Sequence, residues 1–257
     1  MKRVILIIII LALGAGLYFF RVDIRDFVSN WQKEDLPEAV GYRQASPMPA
    51  ATPKTSLLPS LTPNSEFKIL DSINLAVPFT PQAPYGNWDD PYAEFCEEAS
   101  VLMAISYIMG SSIPNLDFAD QNMLKIKSFE EARFGYYKDT TAEETAVILR
   151  EYYKYEKVKV VYDPSVDIIK KSLSEKKVII VPAAGRMLGN PYFTQPGPLY
   201  HMLVIKGYTK DGNFITNDPG TRRGADFIYA PNVLMNAIHD WNDGDVQNGR
   251  RVIIIVG

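Results

Sequence analysis

The chain has 257 residues, 47% of them hydrophobic, with a formal net charge of −3. That length suits one or two domains with a core large enough to fold without a disulfide or metal staple. The slight negative charge excludes a general electrostatic attraction to nucleic acid or to an anionic membrane. One cysteine, Cys96, rules out an intramolecular disulfide, and with His201 and His239 it leaves too few ligands for a Cys/His structural zinc site. No metal or other cofactor is expected.

Met1-Lys2-Arg3 precedes seventeen uncharged residues, 4–20, and charges resume at Arg21, Asp23, Arg25 and Asp26. A helix of that length rises about 25 Å, at the short end for a bilayer span. Lys2 and Arg3 favour an N-inside orientation, so residues 1–21 read as a transmembrane anchor with the rest of the chain outside the cytoplasm. A cleaved signal peptide is the rival, with Ala12 and Gly14 at cleavage-like spacing, and a buried core helix is the third reading. The anchor is preferred because the apolar run continues through Phe20, past any such cleavage site. Residues 22–66 read as a linker, and their Pro, Ser and Thr content over 36–65 suits a semi-extended spacer that holds a domain off the membrane.

The globular domain is expected over 67–257. Residues 67–79 read as extended structure leading into a Pro-rich loop that carries Gln82, Tyr85 and Trp88. Residues 96–109 have helical periodicity, with Ala99, Leu102, Met103, Ser106 and Tyr107 on one face and Gly110 as the stop. Thr141 to Glu144 form a capping box for a helix running to about Lys154. A strand at 158–162, a helix at 166–176 and a buried strand at 178–184 follow. Three more strands are expected at 200–208, 213–217 and 251–256, the first two joined by the turn Lys210-Asp211-Gly212-Asn213. The fold class is therefore α+β, helical in its first half and antiparallel sheet in its second.

Cys96 stands where an irregular loop enters a helix. The thiolate is the nucleophilic form of cysteine, and a helix N-terminus stabilises it with positive potential and free N–H groups. Those N–H groups also suit an oxyanion on attacked substrate. Glu97 and Glu98 oppose ionisation if they face the sulfur, so their carboxylates are expected to point elsewhere. His201, opening an apolar strand behind a Pro/Gly loop, is the candidate base. Asp218 or its neighbour Asn217, just past the hairpin, is the candidate acceptor that orients the ring. The two project to opposite faces of a continuing strand, so only one can serve, and Asp218 is preferred. Taken singly, these are also what a buried inert thiol, an ordinary strand-edge histidine and a turn look like.

Val77-Pro-Phe-Thr-Pro-Gln82, then Trp88, then Cys96-Glu-Glu-Ala-Ser100 resembles the start of the bacteriocin-processing cysteine peptidase-like family, cysteine-peptidase family thirty-nine, which has a papain-like fold. Tyr200 to Tyr208 and Asn217-Asp218-Pro219-Gly220 resemble that family's His and Asp-Pro blocks, in the family's order. The resemblance implies Cys96 as nucleophile, His201 as general base, Asp218 as orienting acid and Gln82 as the side-chain amide of the oxyanion hole. From the residues alone, Gln82 is a polar loop position. Members that cleave bacteriocin leaders usually carry glycine after the cysteine and are commonly fused to an exporter. Glu97 here, and the expected outside topology, point instead to the stand-alone branch of the family.

The loop 185–199 is long and structured. Arg186, Asn190 and Tyr192 on it either contact substrate or shape a rigid connection. Trp88 and Tyr85 line a cleft or, preferably, cover the core. His239 reads as a surface residue, and Tyr136, Tyr137, Tyr152 and Tyr153 as packing or surface positions without the basic interleaving that nucleic-acid binding requires.

The expected function is a membrane-anchored, extracytoplasmic thiol hydrolase that cleaves peptide or amide bonds through an acyl-enzyme. Its partners would be a peptide or protein substrate, including cell-wall peptide, and the membrane, with no nucleic acid. The alternatives are a peptidoglycan amidase or endopeptidase of the CHAP or NlpC type, and a catalytically inactive peptide-binding module on the same scaffold.

Overall fold

A computed structural model of the chain describes residues 26, 28–30, 33, 36–42 and 69–257. The proposed anchor at 4–20 and most of the Pro-rich run lie outside the described residues. Among the described residues no helix is long and apolar enough to cross a membrane.

The sheet forms around apolar runs that include Val178–Val181, Met202–Ile205 and Val252–Val256. Strand β4 (Val178–Ala184) and strand β5 (Tyr200–Tyr208) are buried at every position, and β8 (Val252–Val256) is likewise closed on both faces. These three pair antiparallel, with Ala183 opposite His201 and Ile180 opposite Ile254. Strand β3 (Val158–Tyr162) adds to the free side of β8. At the other end β5 turns through Thr209–Asn213 into β6 (Phe214–Asn217), which pairs with β7 (Phe227–Tyr229). Short strands β2 (Ile73–Leu75) and β1 (Ala39–Val40) complete the sheet, β1 lying parallel to β2.

Helix α1 (Cys96–Ile108) crosses β5 and is buried around its whole circumference. The single apolar face read from Ala99, Leu102, Met103, Ser106 and Tyr107 is thus only part of its contact surface. Helix α2 (Leu116–Phe134) was not visible in the periodicity. Asn115 caps its start and Gly135, at φ 88°, its end. Its buried stripe, Ala119, Met123, Ile126 and Glu130, contains a carboxylate where a hydrophobe is expected. The capping box at Thr141 is present and opens α3 (Ala142–Val147), but the helix gives way to a π-turn at Ile148–Tyr152 before Lys154. Helix α4 (Val166–Ser174) packs on β4, and a short α5 (Pro231–Ala237) begins with proline, whose missing N–H costs nothing there. The architecture is α+β and papain-like, with Cys96 at the start of the helix that packs on the antiparallel sheet.

Gly207 sits at the irregularity where β5 meets both β2 and β6. A Cβ there would lie 2.1 Å from the Ile73 carbonyl oxygen and 2.9 Å from Asn74 Cα, both backbone atoms that cannot turn aside. Gly207→Ala should therefore lower the free energy of unfolding by about 2 kcal/mol or more. Urea denaturation monitored by tryptophan fluorescence measures it, and a variant as stable as the parent would contradict the close approach of β2.

Candidate active site

His201 and Asp218 meet because β5 and β6 are neighbouring antiparallel strands. His201 is the second residue of β5, and Asp218 follows the last residue of β6. His201 Nε2 lies 2.7 Å from Asp218 Oδ1, with both side chains buried. The same oxygen accepts from the Gly220 N–H at 3.0 Å. The other, Oδ2, accepts from Tyr229 Oη at 2.6 Å and from Asn190 Nδ2 at 3.0 Å. Burial opposes the charge on Asp218, but the histidine and these donors outweigh it and hold the carboxyl below its usual value. With Nε2 engaged, Nδ1 is the ring nitrogen left for other partners. Phe193 packs edge-on against the imidazole, with centroids 5.2 Å apart.

Asn217 is occupied elsewhere. Its Nδ2 donates to the Val77 and Pro78 carbonyls and its Oδ1 accepts from the Asp226 N–H. It ties the loop before α1 to the sheet, leaving Asp218 alone beside the histidine.

Cys96, His201, Gln82, Glu97, Trp88 and Tyr192 line one cavity of about 860 Å³. Cys96 is the first residue of α1, as expected, but its surroundings differ from those expected. Its Sγ donates to Glu97 Oε2 at 3.0 Å, and among the described residues no hydrogen bond joins the sulfur to His201. Glu97 therefore faces the sulfur. Burial pushes the thiol well above its usual pKa, the Glu97 charge and hydrogen bond and the Glu98 charge push it further, and only a backbone hydrogen bond from Met202 opposes them. The helix N-terminus does not win here. Its contribution is about 0.3–1 kcal/mol at exposed sites, less than burial beside a carboxylate costs.

Gln82 lines the same cavity as Cys96, but both its amide hydrogens are committed. Nε2 donates to the Tyr92 carbonyl at 3.0 Å and the Ala93 carbonyl at 2.9 Å. Its backbone N–H bonds the Pro219 carbonyl at 3.0 Å, joining the loop before α1 to the Asp218 block. Trp88 is 43% exposed on the cavity wall rather than in the core, and Tyr85 is exposed outside this cavity. Asn190 supports Asp218 from within the protein, and Arg186 is exposed and does not line the cavity. Tyr192 does line it. Its hydroxyl donates to Asp26 Oδ1 at 3.0 Å, and Arg223, also on the wall, reaches the same oxygen at 2.6 Å. A residue from the expected linker thus closes on the rim. His239 is half-buried, its Nδ1 within 2.8 Å of the Gly249 carbonyl.

The model of the Peptidase_C39 like family matches residues 74–243. The chain belongs to this family. Among solved structures it is similar to a Bacillus anthracis protein described as a C39-like peptidase, at 16% identity over 74% of this chain and 96% of that one, with a TM-score of 0.47. It is also similar to a Prevotella intermedia prointerpain A fragment, at 15% identity over 66% of this chain and 48% of that one, with a TM-score of 0.37. No curated protein matches the sequence. Membership makes this a cysteine peptidase-like domain, and the matched segment contains Cys96, His201, Asp218 and Gln82.

Sequence reasoning missed Tyr229 and the pair behind the nucleophile. Glu98 of α1 and Glu130 of α2 are both buried, and their carboxyl oxygens accept no hydrogen bond from elsewhere in the described protein. Burial pushes both carboxyls up, helped at Glu98 by the charges of Glu130 and Glu97 and at Glu130 by those of Glu144 and Glu131, which take Glu130 from 4.5 to about 8. A carboxyl raised in the folded state stabilises fully below its unfolded pKa, and that stability is lost as pH rises through the folded value. Unfolding free energy should therefore fall from pH about 5 to about 8, at up to about 1.4 kcal/mol per pH unit per proton. Glu130→Gln should flatten that fall. Denaturant titrations across this range test it, and equal slopes in parent and variant would refute it.

Proposed function

We propose that the chain is a cysteine-type peptidase that hydrolyses peptide or amide bonds through an acyl-enzyme. The observation that carries this reading is the buried 2.7 Å contact of His201 Nε2 with Asp218, on the wall of the cavity that Cys96 also lines. Asp218 orients the ring, and Nδ1 takes the thiol hydrogen as sulfur attacks the substrate carbonyl. The imidazolium then protonates the leaving amine, and water releases the acyl group by the reverse sequence. The N–H groups at the start of α1 are the donors available to the oxyanion, because Gln82 must first release two carbonyls to contribute. Trp88 and Tyr192 supply apolar surface along the cavity for a peptide.

The apolar run at 4–20, flanked by Lys2 and Arg3, supports a single membrane anchor with the hydrolase outside the cytoplasm. In that location peptides of the cell wall are a substrate class within reach. A second reading, a peptide-binding module without turnover, is favoured by the raised thiol and by the committed amide of Gln82.

Cys96→Ala and His201→Ala should each abolish hydrolysis of peptide or muropeptide substrates. Asp218→Asn should lower kcat by about 10²–10⁴-fold, since the ring loses the carboxylate that holds its tautomer. Product analysis by mass spectrometry decides the matter. Hydrolysis that persists unchanged in Cys96→Ala would end the assignment, and binding without cleavage by the parent would select the inactive module.

A further inference from the structure

The reading of Cys96 as nucleophile leaves its contact with Glu97 unexplained. Glu97 follows it on α1, is 1% exposed and lines the same cavity. One carboxyl oxygen, Oε2, holds the Cys96 Sγ hydrogen at 3.0 Å, and the other, Oε1, is buried without a hydrogen-bond partner. Burial pushes the Glu97 carboxyl well above its usual pKa, and the hydrogen bond from Cys96 opposes this only weakly, since a thiol is a poor donor to a buried carboxyl with one oxygen unpartnered. The sulfur accordingly spends its single hydrogen on Glu97 rather than on His201.

We propose that Glu97 is a latch on the nucleophile: its carboxyl group holds the hydrogen of the Cys96 sulfur, and the site becomes competent when that bond is exchanged for one to His201. The proposal rests on the peptidase reading and deepens it by adding control of the resting state. In the exchange the Cys96 side chain turns from Glu97 Oε2 towards His201 Nδ1. The S–H bond breaks, an N–H bond forms, and a thiolate–imidazolium pair replaces thiol and neutral ring. Nδ1 is the free nitrogen because Nε2 is held by Asp218.

The groups around the pair make the latch one-sided. Glu98 on the same helix faces Cys96 and Glu130 on α2 faces Glu97; both carboxyls are pushed up by burial, and each disfavours a further negative charge there once it ionises. Asp139, in the segment between α2 and α3, is a third carboxylate facing Glu97, and its own carboxyl is pushed up to about 6 by burial and by Glu94. From β5 come the Tyr200 hydroxyl, which stays neutral, His201, and the Met202 backbone, which alone favours the thiolate. With carboxylates on α1, α2 and this segment, removing the Glu97 charge should ease ionisation of Cys96 even though the helix is unchanged.

The test is alkylation of Cys96 by iodoacetamide, followed by mass spectrometry as a function of pH on the folded full chain. The parent should show a midpoint above the ~8.5 of a free thiol. Glu97→Gln, which keeps size and polarity but not charge, should move the midpoint down by one pH unit or more, raising the rate at pH 7 about tenfold. Glu97→Asp, which keeps the charge, should restore slow alkylation. A parent midpoint below 8.5, or a Gln variant no faster than the parent, would overturn the latch, and the parent measurement stands even if a variant fails to fold. Peptide hydrolysis is scored separately. Faster alkylation in Glu97→Gln without turnover in any form would keep the latch and remove the peptidase. Turnover that requires Cys96, with equal alkylation profiles, would do the reverse.

Discussion

One buried carboxylate organises this end of the molecule. Asp218 has no contact with water, yet four donors converge on it: the His201 ring, the Gly220 backbone, Tyr229 and Asn190. A carboxylate in that position without donors would take up a proton rather than remain charged. With them it stays ionised and fixes the ring, and β5, β7 and the long loop before β5 are bound to one point. Close packing enforces the same arrangement. A Cβ on Gly224 would lie 1.7 Å from the Asp218 carbonyl oxygen, and one on Gly220 would fall 2.7 Å from Phe193 and 2.9 Å from His201. The turn after β6 can carry the acid only because both of these positions are glycine.

The nucleophile half of the cavity follows the opposite rule. Glu97, Glu98 and Glu130 are as buried as Asp218, but each has at least one carboxyl oxygen without a hydrogen-bond partner. Where Asp218 is held below its usual pKa, these three are held above theirs. A sulfur placed among them is surrounded by acids that favour its thiol form. The site therefore combines a histidine already oriented by a charged carboxylate with a cysteine whose surroundings favour the thiol. The difference lies in donors rather than in depth of burial.

Much of this was legible in the residues, for reasons that can be named. The strands β4, β5 and β8 carry apolar runs built on valine and isoleucine, and the Lys210–Asn213 turn joins β5 to β6, so the approach of His201 to Asp218 could be read before any coordinates. The Thr141 capping box announced a helix start. Helix α2 escaped because its inward stripe includes Glu130 and its surface is heavily charged, which dilutes the apolar period. Trp88 was expected in the core on size alone, whereas its loop carries it to the cavity. Glu97 was expected to point away from the sulfur, and its true direction was not legible. Two successive residues at a helix N-terminus project at about 100° to one another, and which one shares the sulfur's side depends on how α1 is rotated against β5. Tyr229 gave no signal either, since an aromatic in a strand is ordinarily packing.

The segment before the domain bears on how the cleft is presented. Ala39 and Val40 lie parallel to Asn74 and Leu75, Asn74 Nδ2 donates to the Pro37 carbonyl at 3.1 Å, and the Ala76 N–H bonds the Val40 carbonyl at 2.8 Å. Tyr42 packs edge-on against Tyr107 of α1. Residues 39–42 are thus fixed on the same body as the start of the domain, and before Pro37 Asp26 reaches Tyr192 and Arg223 on the cavity rim, so a segment that composition assigns to a linker helps shape the mouth of the cleft.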